Sequence, residues 1–147
     1  MDEIKIQDFQ RDYPGENFPE YRTLSDEEAF RIQLTIITKL GLPQTTSPLD
    51  IVKSLEKTSI LVPNCNAEDA DFELITILTE LGINTESTVY INWFRFDKID
   101  ELRLVDVSKY LDDLWYPVAD SIDVFDESLS WILSIGYFGE LLLIKFS

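Results

Sequence analysis

Apolar positions recur at helical spacing in three segments of the first half of the chain. In LSDEEAFRIQLTIITKLGLP, Ala29, Ile32, Ile36, Ile37 and Leu40 fall on one side of a helix. Ser25 can cap it, with Glu28 three residues on closing a capping box. Asp26 and Glu27 sit where the helix dipole favours anions, and Gly41 then Pro43 stop the helix. SPLDIVKSLEK predicts a second helix, with Ser47 as cap, Pro48 in the first turn, Asp50 completing the box, and Ile51, Val52 and Leu55 as its stripe. NAEDADFELITILTELGI predicts a third, capped by Asn66, striped by Leu74, Ile75, Ile77, Leu78 and Leu81, and ended by Gly82. Gln33 interrupts the first stripe. A buried amide without a partner costs roughly 1–3 kcal/mol, so a backbone partner from a neighbouring strand or loop is expected.

After Gly82 the period changes. STVYINWFRF is β-branched and aromatic on both faces, which predicts a central strand. SWILSI alternates Trp131, Leu133 and Ile135 against Ser130, Ile132 and Ser134, the pattern of a half-buried strand. GYFG supplies a turn, and ELLLIKF reads as the hairpin partner. DVSKYLDDLW predicts a short helix capped by Asp106, and SIDVF another strand. The first two dozen residues carry Pro14, Gly15 and Pro19 and little periodicity, an irregular arm with a short strand at Ile4–Phe9. The expectation is one α+β domain over 1–147: an arm (1–23), a mainly helical part (24–82) and a mainly stranded part (83–147). The N-terminal helices would pack on one face of a C-terminal antiparallel sheet.

Composition supports a folded chain and narrows its partners. Hydrophobic residues make up 45% of the 147 residues, enough for a single core. Asp and Glu number 28 against 12 Lys and Arg, a formal net charge of −16. The excess is spread along the chain, so it belongs to a folded surface. Such a potential repels nucleic acid and anionic membranes and attracts basic partners; solubility alone is the simpler use of the same charge. No Lys/Arg patch for phosphate contacts is visible. The polar, acidic start lacks the regions of a signal peptide, and no apolar run reaches the roughly 20 residues of a membrane span. A cytoplasmic protein is expected.

Reaction chemistry finds little to stand on. The chain has no histidine, which removes the Ser-His-Asp and Cys-His arrangements. Cys65 is the single cysteine; it is an ordinary loop or half-buried thiol unless a helix end lowers its pKa. GxSxG and the phosphate-binding glycine motifs are absent. Asp120, Asp123 and Asp126 stand three apart, but an EF-hand uses alternate positions and a central glycine, so no metal site or other cofactor is expected. Paired carboxylates for glycoside hydrolysis can be drawn from any acidic protein and point to nothing here. Trp93, Trp115 and Trp131 read as core more readily than as interface. Phe72 falls opposite the third stripe, exposed or covered by another segment; flanked by Asp71 and Glu73, it would suit a partner hot spot.

The stretch YLDDLWYPVADSIDVFDESLSW sets Asp112, Asp113, Asp120, Asp123, Asp126 and Glu127 among aromatic rings without a single Lys or Arg. An acidic display on a rigid aromatic base is expected, although some of these Asp residues could instead cap turns. The longer run through ELLLI (Tyr110–Ile144) resembles small acidic bacterial proteins with the pattern "DDIWYP–SDD–D–FD–S–SW–LSI–H–G". Some of those look like immunity proteins that protect a bacterium from a secreted polymorphic toxin; Gly136-Tyr137 stands here where the pattern has a polar turn. The resemblance implies a non-enzymatic inhibitor that neutralises a basic toxin domain by direct binding. An adaptor or oligomer-forming domain is the alternative, and a metal-dependent hydrolase the third.

Overall fold

The computed structural model describes residues 1–146. The chain opens with α1 (Glu3–Asp12), β1 (Tyr21–Thr23), α2 (Asp26–Leu40), α3 (Pro48–Thr58), β2 (Ile60–Leu61) and α4 (Leu74–Glu80). Then come β3 (Thr88–Asn92), β4 (Ile99–Arg103), α5 (Leu104–Lys109), α6 (Leu111–Leu114), β5 (Ile122–Phe125), β6 (Trp131–Ile135) and β7 (Leu141–Lys145). The strands form one seven-stranded sheet in the order β1-β4-β3-β5-β6-β7-β2, with every neighbouring pair antiparallel. The class is α+β, as the helical first half and stranded second half predict. No helix among the described residues is long and apolar enough to cross a membrane.

Local signals account for several elements. Ser25 and Glu28 make both bonds of the capping box, and Gly41 ends α2 at φ 68°, where a side chain would strain the backbone. Ser47 caps α3 by accepting from the Asp50 backbone N–H. β3 is interior, between β4 and β5, and β6 and β7 form the expected hairpin with Trp131 opposite Lys145. Gln33 donates its amide to the Phe96 carbonyl at 2.8 Å. That carbonyl lies in the β3–β4 turn, so the amide ties α2 to the sheet.

Four expectations are corrected. The helices cover both faces of the sheet, not one. Val89, Ile91, Val124, Leu133 and Ile135 point into a core shared with α4, α5 and α6. Phe125, Ile132 and Ile144, with Tyr90 packed beside them, point into a second core shared with α2 and α3. This double cover buries Ile132, which the alternation of SWILSI assigns to the solvent side. In place of the short strand expected at Ile4–Phe9, the N-terminal arm forms the helix α1, capped by Asp2 accepting from the Ile4 N–H. It buries Lys5 and Phe9, one turn apart, and a lysine on the buried face masks the apolar period. α4 begins at Leu74, not after Asn66; Asn66 instead folds a turn by accepting from the Glu68 N–H. Asp106 lies inside α5, accepting from Arg103 at its N-cap position, and does not cap the helix. β4, IDELR, is an unpredicted strand whose charged residues hide its buried Ile99 and Leu102.

Candidate functional site

The acids of the Tyr110–Trp131 stretch do not form a single display. Asp126 is buried and accepts from the Ser128 N–H (3.0 Å), the Ser128 hydroxyl and the Trp131 indole N–H (3.1 Å). Asp120 is half-buried and takes the Lys5 ammonium at 2.5 Å and the Tyr116 N–H at 2.8 Å. Asp113 is half-buried; burial raises its pKa, and a hydrogen bond with Tyr13 opposes the rise. Only Asp112 and Glu127 stand fully exposed. Asp120 and Asp126 follow the turn-capping alternative because the chain sets N–H groups beside them that need acceptors. Phe72 is half-buried against the core under α4, which removes the freely exposed anchor.

Other sequence candidates are equally internal. Trp115 and Trp131 are core residues, and the half-buried Trp93 donates its indole N–H to Asp100 at 2.7 Å. Asp100 also accepts from Thr23 at 2.6 Å and lies 2.8 Å from the Met1 amino nitrogen. These groups line a hollow of about 820 Å³ beside α1. Its buried carboxylate is already satisfied, and we read this region as bracing. Burial pushes the half-buried Cys65 thiol up, with Asp69 and Glu80 adding to it, opposite to an activated thiol. Among the described residues, no group of three or more acidic or cysteine side chains is placed to hold a metal ion.

Asp123 is different. Register sets Asn92 directly opposite it on β3, and Ser134 directly opposite on β6. Side chains of directly paired residues leave the sheet on the same face, so the three polar groups form a row. Asn92 donates to one Asp123 oxygen at 2.8 Å and the Ser134 hydroxyl donates to the other at 2.5 Å. The buried Asn92 is fixed in turn, its own oxygen accepting from the Phe96 N–H at 2.8 Å and the Phe94 N–H at 3.3 Å.

Above this row opens a cleft of about 600 Å³. α3 forms one wall with Leu49, Val52, Leu55 and Glu56; the β3–β4 turn forms another with Trp93, Phe94 and Arg95. The segment Ala119–Ser121, the turn residues Gly136, Tyr137 and Glu140, and Leu142 of β7 complete it. The Glu140 carboxylate folds over the turn, close above Gly136, and accepts from the Phe138 N–H; a Cβ at Gly136 would displace it. The mouth is edged by Phe94 and Tyr137, 55% and 50% exposed. Arg95 lies with its guanidinium 4.8 Å from the Phe94 ring centre.

Burial raises the Asp123 carboxyl above its ordinary value; Ser134 and Asn92 pull it down, and Glu56 adds to the rise. An acid raised on folding leaves the native state holding more protons than the unfolded chain between the two pKa values. Stability is therefore retained below the unfolded value and lost as pH rises toward the folded one. Asp123→Asn removes this loss, so its melting temperature should gain on the wild type as pH rises through and above the ordinary carboxylate range. Melting curves across that range would check it; a constant difference would contradict the desolvated carboxylate.

Sequence reasoning named Asp123 but missed Asn92, Ser134, Glu56, Glu140, Phe94, Tyr137 and Arg95. The available signal was a polar residue within or at the end of each of three largely apolar strands; their pairing is long-range. The row can accept hydrogen bonds and stabilise a cation, and Ser134 has no imidazole beside it. Compared with family models, curated proteins and solved structures, the chain finds no match in any of the three.

Proposed function

We propose that this protein is a non-enzymatic binding protein for a basic protein partner, most concretely an immunity or antitoxin-type inhibitor of a toxin domain. The observation that carries this reading is the Asp123 cleft, a carboxylate floor with an apolar, open mouth on a chain of net charge −16. Apolar surface beside unneutralised acid suits a protein surface rich in Lys and Arg. The same potential repels nucleic acid and anionic membranes. A bacterial cytoplasm, where such inhibitors meet a co-produced toxin, is the location this reading implies, and the resemblance of Tyr110–Ile144 points the same way. Co-expression of the tagged protein with the adjacent reading frame, followed by pulldown, tests it. Recovery of a basic domain whose toxicity is suppressed is the expected result; full toxicity of that domain in the presence of this protein overturns it.

One observation favours the adaptor or oligomer alternative. β2 is a two-residue edge strand whose Ile60 is 75% exposed, beside an apolar groove under Leu143 and Phe146. Unpaired edges invite pairing with another chain. Sedimentation would reveal a dimer that Ile60→Lys dissolves if this edge is used.

A further inference from the structure

We infer that the Asp123 cleft receives one cationic side chain, lysine or arginine, from the protein partner. Asp123 is the accepting group, Asn92 and Ser134 are its positioning residues, and Phe94 and Tyr137 flank the stem. This rests on the basic-partner reading and deepens it.

The carboxylate is aimed before any ligand arrives. Each Asp123 oxygen accepts one internal bond, from Asn92 or from Ser134. An ionised carboxylate offers about four acceptor positions, so about two remain. The internal donors fix its plane, and Asn92 is itself locked by the β3–β4 turn. Binding therefore spends little ordering on the receptor side. The desolvation of Asp123 is already borne by the fold, and a cation entering the cleft relieves it.

The walls select the form of the cation. A free, hydrated ion gains nothing from aliphatic and aromatic surface, whereas Lys and Arg join an apolar stem to a charged head. Rings at the mouth can also face the cation. The charge inside stays negative: Lys5 neutralises Asp120, and among the described residues that line the cleft Arg95 is the one cation beside Glu56, Glu140 and Asp123. An apolar rim around acid is the composition of an interface anchor site. The cleft mouth and the net charge are independent observations that agree on the same occupant.

The test uses two blocked tripeptides, acetyl-Ala-Arg-Ala-amide and its Gln counterpart, titrated into the full chain and followed by NMR. The Arg peptide should give saturable shifts at the Asn92 side-chain amide and at Ser134, and the Gln peptide none. Asp123→Asn should weaken Arg-peptide binding about tenfold or more, the loss expected for a hydrogen bond to a charged group. Phe94→Ala, in an exposed turn position, should weaken it without unfolding the protein and serves if Asp123→Asn is unstable. Equal shifts from both peptides overturn the inference. Arg-peptide shifts elsewhere on the acidic surface, unchanged by Asp123→Asn or Phe94→Ala, overturn the cleft assignment but leave the basic-partner reading standing. No saturable binding of the Arg peptide anywhere overturns the cleft assignment and counts against both.

Discussion

Asp120→Ala should lower the melting temperature by about 10 °C, because it strands a buried ammonium. The Lys5 side chain is 5% exposed and its nitrogen lies 2.5 Å from Asp120 Oδ2. Its other neighbours are ring faces, Tyr116 at 3.8 Å and Trp93 at 5.5 Å. Breaking a buried pair from one side costs about 3–5 kcal/mol, since the remaining charge has neither water nor partner. The Tyr116 backbone N–H loses its acceptor as well. Lys5→Met should cost much less: the thioether fills the stem's space, and Asp120, 22% exposed, can turn to water. Thermal melts of the two variants check the asymmetry. Equal, small losses would mean that Lys5 is solvated and that α1 is not held by this pair.

Asp126→Ala should cost about 3 kcal/mol, whereas Glu127→Ala beside it should stay within about 0.5 kcal/mol. Removing the Asp126 carboxylate leaves the Trp131 indole N–H without an acceptor in the core and frees the Ser128 N–H. It also releases a tight turn in which Leu129 is held at φ 47°. Glu127 is exposed and makes no such bonds. Urea denaturation midpoints of the two variants separate them. A stable Asp126→Ala that instead slowed partner association would restore Asp126 to the binding surface.

What was legible in the sequence was what local chemistry encodes. Ser25 with Glu28, Gly41 and the GYFG hairpin each specify structure within a few residues, and the structure has all of them. Gln33 was legible too, because an amide inside an apolar stripe demands a partner. α1 was hidden because Lys5 occupies a buried helical position that only Asp120, more than a hundred residues away, makes tolerable. The two-sided sheet was misjudged because Ile132 and the unbroken LLLI of β7 differ only slightly from a half-buried pattern. The acidic stretch misled for a related reason. Sequence shows charge, not the N–H groups that charge satisfies, so Asp126 and Asp112 look alike although one is core and the other surface. The cleft was invisible since its row is assembled across three strands, Asn92 to Asp123 to Ser134, by register alone.

The association rate of the co-purified partner, measured at about 50 mM and about 500 mM salt, bears most directly on the proposed role. Wild-type association should slow steeply with salt, because exposed charges steer encounter and salt screens them. Asp112→Lys with Glu127→Lys should slow association further at low salt, while Asp123→Asn should chiefly hasten dissociation, as expected for a group inside the contact. An association rate indifferent to salt and to the Asp112/Glu127 reversal, with dissociation unchanged by Asp123→Asn, would mean that the negative charge serves solubility and that the cleft is not where the partner binds.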